Sequence, residues 1–346
     1  MEKNEKSKEP KASKPDQTEK LLEDWNDVFA DILNVLVCGG EQRVQEKYLV
    51  DNPTSSQYKA SDGTYHEKMR DVCKEDIRNG VHFAVWGLEN QTDINRVMVA
   101  RCMGYDYASY DRMIKQTQDE NKQNGNTAKF TEVLHKGQKL WPTVTIVLYF
   151  GTEKWDAPIT LWELLNLPDW LKSFVPDYHI NLIQIAFLEE ETINKFKSDF
   201  QVIARFFRAK RLGKEKEIMY NDKKEWIHVS EMMEFFHTFT GDRRYREYKE
   251  FLVEESKKGE AKMCTLLDAF EKEGLEKGMK KGMAQGMLQG REEGIKDGRY
   301  SLAEDFAKRN SMNIETSMTQ LGFSDEEKAG YNAWKAKKNK EDKKTA

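Results

Sequence analysis

Cysteine is scarce in this chain. Its four residues, Cys38, Cys73, Cys102 and Cys264, lie far apart in 346 and contain no Cys-x-x-Cys pair. That spacing argues against both a zinc site and a disulfide framework, and isolated thiols fit a reducing compartment. No run of eighteen apolar residues exists, so a membrane-spanning helix is not expected. The N-terminus is lysine-rich and polar, unlike a secretion signal. A cytoplasmic protein without a membrane partner is the expectation. Several chemistries also lack their signatures: there is no Gly-x-Ser-x-Gly elbow, no Walker loop, no Gly-x-Gly-x-x-Gly and no His-Glu-x-x-His. The six histidines are scattered. A net charge of −4 argues against a whole-molecule electrostatic grip on DNA, which leaves local patches.

Charged residues make up 34% of the chain and apolar ones 38%, a balance that predicts one sizeable core with exposed helical appendages. Residues 1–20 alternate Lys with Glu or Asp, have no apolar pattern and read as disordered. Leu21–Leu36 carries apolar residues at helical spacing and is closed by Cys38-Gly39-Gly40. Tyr48-Leu49-Val50 reads as an edge strand and Asn52–Gly63 as a polar loop. Asn95–Gln116 reads as a second long helix, followed by a polar loop over Thr117–Ala128. Thr143–Phe150 is nearly unbroken and β-branched, the pattern of a buried strand, and Tyr178–Phe187 reads the same way. From Glu190 to about Glu255 the pattern is helical throughout.

Between the first helix and the second lies the stretch that carries chemistry. Asn79-Gly80 is a turn signal, with Lys68-Met69-Arg70-Asp71-Val72-Cys73 on one side and the apolar run His82–Leu88 on the other. Antiparallel pairing of the two would set Asp71 beside Glu89 at one end of a sheet. Two converging carboxylates suit a hard cation such as Mg²⁺ or Mn²⁺, which takes oxygen ligands and keeps several waters. The alternative is a pair of surface acids on a hairpin.

The residues after Glu89 tip that balance. Gly87-Leu88-Glu89-Asn90-Gln91-Thr92-Asp93-Ile94-Asn95, then Met98, Arg101 and Met103-Gly104-Tyr105-Asp106, resemble the Rpn family of recombination-promoting nucleases and putative transposases, within the PD-(D/E)XK superfamily. Asn26–Asn34 looks like that family's first helix, and Pro142–Thr152 with Trp155-Asp156 like its late strand and turn. Val175–Leu182 looks like its final strand. The likeness runs in order from residue 21 to 190 and more weakly to about 300. It implies an α/β fold with a PD-(D/E)XK restriction-endonuclease-like core, a mixed sheet flanked by helices, and a helical C-terminal extension. It also implies a metal-dependent DNA endonuclease, with Asp71 and Glu89 as metal ligands and the backbone carbonyl of Asn90 as a third oxygen. Where the superfamily commonly has lysine this chain has Gln91, which can orient a water but cannot take its proton at neutral pH. An acid from the first helix often completes such a site. Asp31 is the candidate taken here, with Asp27, one turn away, left open beside it. Arg101 fits the family's Met-x-x-Arg pattern and is a candidate for the scissile phosphate, its alternative being a structural ion pair; Arg96 is a poorer choice.

Two further patches stand out. The run Arg205-Phe206-Phe207-Arg208-Ala209-Lys210-Arg211 would, on a helix, bury its aromatics and turn Arg205, Arg208, Lys210 and Arg211 outward, either as a solvated face or as a DNA-phosphate contact. Glycine recurs every fourth residue from Gly274 to Gly298. Each costs a helix about 1 kcal/mol relative to alanine, so the segment reads either as a flexible linker or as a self-association element formed on pairing, giving a homo-oligomer through residues 274–298. The expected organisation is a disordered segment at 1–20, a nuclease-like domain at 21–190 and a helical extension at 191–260. A glycine-repeat segment at 261–300, short helices within 301–334 and a basic disordered tail at 335–346 complete it. Ser324 is placed to cap the last of these helices. The rival to an endonuclease is a catalytically weak protein of the same fold that binds DNA or regulates assembly.

Overall fold

A computed structural model describes residues 22–59, 65–124 and 133–345. The disorder expected for residues 1–20 concerns residues outside that range. The chain divides into two compact units, Met1–Asp268 and Ala269–Ala346.

The first unit is built on a five-stranded mixed sheet. Helix α1 (Asn26–Leu36) is followed by the short strand β1 (Leu49–Asp51), a hairpin of β2 (Ser55–Lys59) and β3 (Tyr65–Met69), then β4 (Val72–Arg78) and β5 (Val81–Gln91). Helix α2 (Met98–Gln123) leads to β6 (Thr143–Tyr149) and, through a long irregular segment, to β7 (Asn181–Gln184). The sheet order is β1-β4-β5-β6-β7. The β1, β4 and β5 neighbours are antiparallel, whereas β5, β6 and β7 run parallel. The β4–β5 turn uses Asn79 at φ 52° and Gly80 at φ 78°, the left-handed pair that matches the twist of a two-residue hairpin.

Helices cover both faces, as a sheet buried on both sides requires. On one face α2 packs Met98, Val99, Cys102 and Tyr105 against Val147 and Ile180, and Met113 against Cys73 and Val85. On the other lie α1, with Phe29 below Lys74, and α5 (Phe200–Leu212), whose Phe200 and Phe207 meet Phe150 at the end of β6. Between β7 and α5 sits the single turn α4 (Glu190–Ile193), and α3 (Leu161–Leu164) precedes β7. Beyond α5 come α6 (Glu215–Tyr220), α7 (Val229–Thr240), α8 (Arg244–Glu247) and α9 (Lys249–Ser256). This is the mixed sheet flanked by helices that the sequence leads one to expect.

Four local expectations differ from the structure. The first helical region is not continuous as expected: Leu22 and Glu23 are helical, Asp24 and Trp25 interrupt the path, and α1 begins at Asn26. The expected loop over Asn52–Gly63 contains β2, which pairs with β3 in a separate two-stranded sheet. Helix α2 continues through Gln123, where a polar loop was expected from Thr117: Thr117 and Asn121 are buried, and Asn121 Nδ2 donates to Gln138 Oε1 at 3.1 Å. The strand expected over Tyr178–Phe187 is only four residues long, and Ile185–Phe187 closes into a 3₁₀ turn.

Helix α10 (Met263–Arg309) runs without a break through all seven repeat glycines into the second unit. There α11 (Ile314–Gln320) and α12 (Asp325–Thr345) pack against its end around Tyr300, Ala303, Met318 and Phe323. Ser324 caps α12 as expected, its Oγ accepting from Glu327 N at 3.2 Å while Ser324 N donates to Glu327 Oε2 at 2.8 Å. The stretch from Lys335, expected to be a disordered tail, is helical as far as Thr345.

Candidate active site at the carboxyl end of the parallel strands

The β4–β5 register pairs Val72 with Leu88, so Asp71 and Glu89 come side by side on one face of the sheet. Asp71 is held to the next residue of β5, with Asn90 N donating to Asp71 Oδ2 at 2.6 Å. The same end of the sheet holds the carboxyl termini of β5, β6 and β7, the crevice where open α/β sheets bind ligands. Glu89 is 1% exposed and Asp71 half-buried.

Helix α2 brings two side chains onto Glu89 from positions one turn apart. Arg101 Nη2 donates to Glu89 Oε1 at 2.5 Å, and Tyr105 OH reaches the same oxygen at 3.3 Å. Arg101 also donates to Tyr105 OH, from Nη2 at 2.8 Å. Burial would lower the Arg101 pKa, but Glu89, Tyr105 and Asp71 outweigh it, and the value rises. Burial, then the Glu89 charge, pushes the Tyr105 phenol well up, so it stays protonated and serves as a donor. Gln91 stands between them, its Nε2 donating to Asn90 O at 2.7 Å and to Glu89 Oε1 at 3.2 Å. Asp71, Glu89, Gln91 and Arg101 therefore converge.

A buried network supports this cluster from below. Arg70, 2% exposed, donates to Asp106 Oδ1 at 2.9 Å. The same carboxylate accepts from Thr145 Oγ1 at 2.6 Å and from Tyr178 OH at 2.5 Å, tying the β3–β4 junction, α2, β6 and the approach to β7 together. Burial, followed by the neighbouring Asp106, drives the Tyr178 phenol up. Glycine at position 87 makes room for this arrangement: a Cβ there would sit 2.8 Å from Arg70 Cδ and 2.9 Å from Nη1.

The Asn90 side chain points to the opposite face, since strand residues alternate. Its Nδ2 donates to Glu23 Oε2 at 2.7 Å, and Glu23 is 1% exposed. Glu23 is the acid of the first helical region that meets the strand carrying Glu89, and sequence reasoning did not single it out because its partner Asn90 lies 67 residues away. Lys74, on the same face as Asn90 and 1% exposed, holds Asp51 at 2.5 Å. Nothing in the pattern of β4 marked this lysine as buried.

The two acids considered in α1 are used elsewhere. Asp31 Oδ2 accepts from Lys197 N at 2.8 Å and Ser198 N at 2.7 Å, anchoring the turn before α5. Asp27 pairs with His228 Nε2 at 3.0 Å. Arg96 lies outside α2 and pairs with Asp156 on the surface at 3.1 Å. The basic residues of α5 also depart from expectation. Arg205 binds Asp222 at 2.7 Å, Arg208 donates to Leu188 O at 2.7 Å, and Arg211 donates to Ala186 O at 2.7 Å. Arg208 and Arg211 hold α5 to the segment after β7 and Arg205 ties it to Asp222 beyond α6, so the three form no outward phosphate-contacting row; of the four basic residues only Lys210 is exposed. Carbonyls and acids distant in sequence took up the donors, which periodicity cannot foresee.

Among the described residues no group of three or more His, Cys, Asp or Glu side chains is placed to hold a metal ion, and no helix is long and apolar enough to cross a membrane. No family profile, curated protein or solved structure matches this chain.

Proposed function

We propose that this chain is a Mg²⁺- or Mn²⁺-dependent DNA endonuclease of the Rpn type, built on a PD-(D/E)XK-like core. The observation that carries the reading is the convergence of Asp71 and Glu89, with Gln91 and Arg101, at the carboxyl end of the parallel strands. The donor chemistry fits a hard divalent cation: two carboxylates and the Asn90 carbonyl, all oxygen, are a sufficient protein share for an ion that retains water. When bound, such an ion acidifies a coordinated water and stabilises charge on a phosphodiester. Gln91, already directed at Asn90 O and Glu89, would hold the attacking water by its amide without taking its proton. Arg101 is suited to the scissile phosphate through a charge-assisted hydrogen bond, and Tyr105 steadies it.

A second reading has its own support. The Arg101 guanidinium already neutralises Glu89 at 2.5 Å, and no general base stands where the superfamily has lysine, which favours a catalytically weak DNA-binding or regulatory protein. The open side chains of the 274–298 helix favour assembly: Leu275, Met279, Met283 and Met287 are all exposed. The deciding experiment is nicking of supercoiled plasmid with Mg²⁺, Mn²⁺ or EDTA, comparing the parent with folded Asp71→Ala and Glu89→Ala. Metal-dependent cutting lost in both variants is the expected result. Equal cutting by all three would refute the site, and DNA binding without cutting would establish the regulatory reading.

A further inference from the structure

Strand alternation alone would turn Phe83 the same way as Val85, toward α2. The β4–β5 register prevents this. Asp76 pairs with Ala84 but Ile77 pairs with His82, leaving Phe83 as the extra residue of a β-bulge. A bulge re-aims the side chains beyond it. His82 accordingly goes to the α2 side, stacked on Trp141 with ring centroids 4.3 Å apart, and Phe83 joins Trp86 in lining a cleft on the other face.

That cleft measures about 810 Å³ and is bordered by Val37, Arg43 and Arg78, a size usual for small-ligand sites. Four features describe what it would hold. Phe83 is 52% exposed, an open aromatic face. The Arg78 guanidinium, which also borders the cleft, lies over the ring at 4.2 Å from its centroid. Arg78 is fixed by the buried Asp76, through Nε at 3.0 Å and Nη2 at 2.7 Å, so it forms part of a rigid platform. Arg43 is the movable cation: its partner Glu41 is 2.6 Å away, and both side chains are more than two-thirds exposed. Such pairs are weak and exchange readily. Finally, Trp86 is 9% exposed and borders the cleft beside Phe83, adding apolar wall to it.

We propose that this bulge-built cleft binds a nucleotide unit, its base stacked on Phe83 and its phosphate on Arg43. Stacking on an aromatic platform tolerates any base, and a guanidinium matches a phosphate. The cleft lies on the opposite face from Glu89, its Phe83 about 20 Å and its Trp86 about 10 Å along β5 from it, at some 3.3 Å per residue. It therefore stands independently of the metal site.

The unit could come free or within a single strand, and two probes separate the sources. Adenosine monophosphate is titrated into the full chain by calorimetry, and labelled single-stranded oligothymidylate by fluorescence anisotropy. Phe83→Ala is expected to weaken binding about 5- to 150-fold, the range of base–aromatic stacking. Phe174→Ala, at an aromatic 77% exposed elsewhere, should have no effect. Binding of the monophosphate alone makes the cleft a free-nucleotide site; binding of the strand alone makes it a nucleic-acid contact. Failure of the parent to bind either at millimolar concentration, or parent-like affinity in Phe83→Ala, overturns the proposal.

Discussion

Gly87→Ala tests whether the floor of the site is as tightly built as the contacts imply. The new Cβ would lie 2.8, 2.9 and 3.1 Å from Arg70 Cδ, Nη1 and Nε, well inside ordinary van der Waals contact. Arg70 cannot swing away at low cost, because it is 2% exposed and its Nη2 is bound to Asp106 at 2.9 Å. Overpacking of a filled core costs about 1–3 kcal/mol, and losing one partner of a buried pair about 3–5 kcal/mol. A displaced but not deleted Arg70 should fall between, at about 2–4 kcal/mol. With a urea dependence of about 2 kcal/mol per molar, the unfolding midpoint should drop by about 1–2 M. Tryptophan fluorescence is the appropriate probe, since seven of the eight tryptophans precede Asp268. The double variant with Arg70→Met removes the clash, so a coupling of about 1–3 kcal/mol between the two positions is expected. A loss below about 0.5 kcal/mol for Gly87→Ala, within the range of ordinary surface substitutions, would refute the account.

Other outcomes follow from the same contacts. Asp31→Asn should cost about 1–2 kcal/mol by weakening the acceptor for Lys197 N and Ser198 N. It should leave plasmid cleavage per folded molecule unchanged, whereas a metal ligand at this position would make cleavage fall. Arg101→Met, by freeing Glu89 of its guanidinium, should tighten Mn²⁺ binding several-fold in paramagnetic resonance titrations while slowing cleavage; weaker binding would contradict the competition. Replacing Gly282, Gly286 and Gly290 together by alanine meets no atom within 4 Å and should stabilise the helix by about 1 kcal/mol per site, read by far-ultraviolet dichroism. If the segment pairs through its glycines, sedimentation should show the assembly lost even as helicity rises. The Ser324 N–H, ahead of Arg299, holds the Glu327 carboxyl below its ordinary value of 4.5. Its contribution is present above that value and lost as pH falls through the lowered one. Glu327→Gln should therefore reduce the thermal stability of the C-terminal helices at pH 7, the difference closing in acid.

Local pattern was enough to read much of this protein. The Asn79-Gly80 turn, with polar and apolar runs on either side, determined the β4–β5 hairpin, and the hairpin brought Asp71 to Glu89. The buried β-branched run determined β6, and Ser324 with Glu327 determined the start of α12. All of these depend on residues close in sequence, where backbone sterics and short-range hydrogen bonds decide the outcome. Long-range packing decided the rest. Arg205, Arg208 and Arg211 look like a cationic face until the carbonyls of Ala186 and Leu188 and the carboxylate of Asp222 are brought beside them. Asp31 and Glu23 differ little in local context, yet one anchors the turn before α5 and the other meets Asn90. The slip that re-aims Phe83 is a property of two strands in register, not of either one. A buried polar group must find its partner wherever the fold supplies one, and where that partner comes from is settled by tertiary structure.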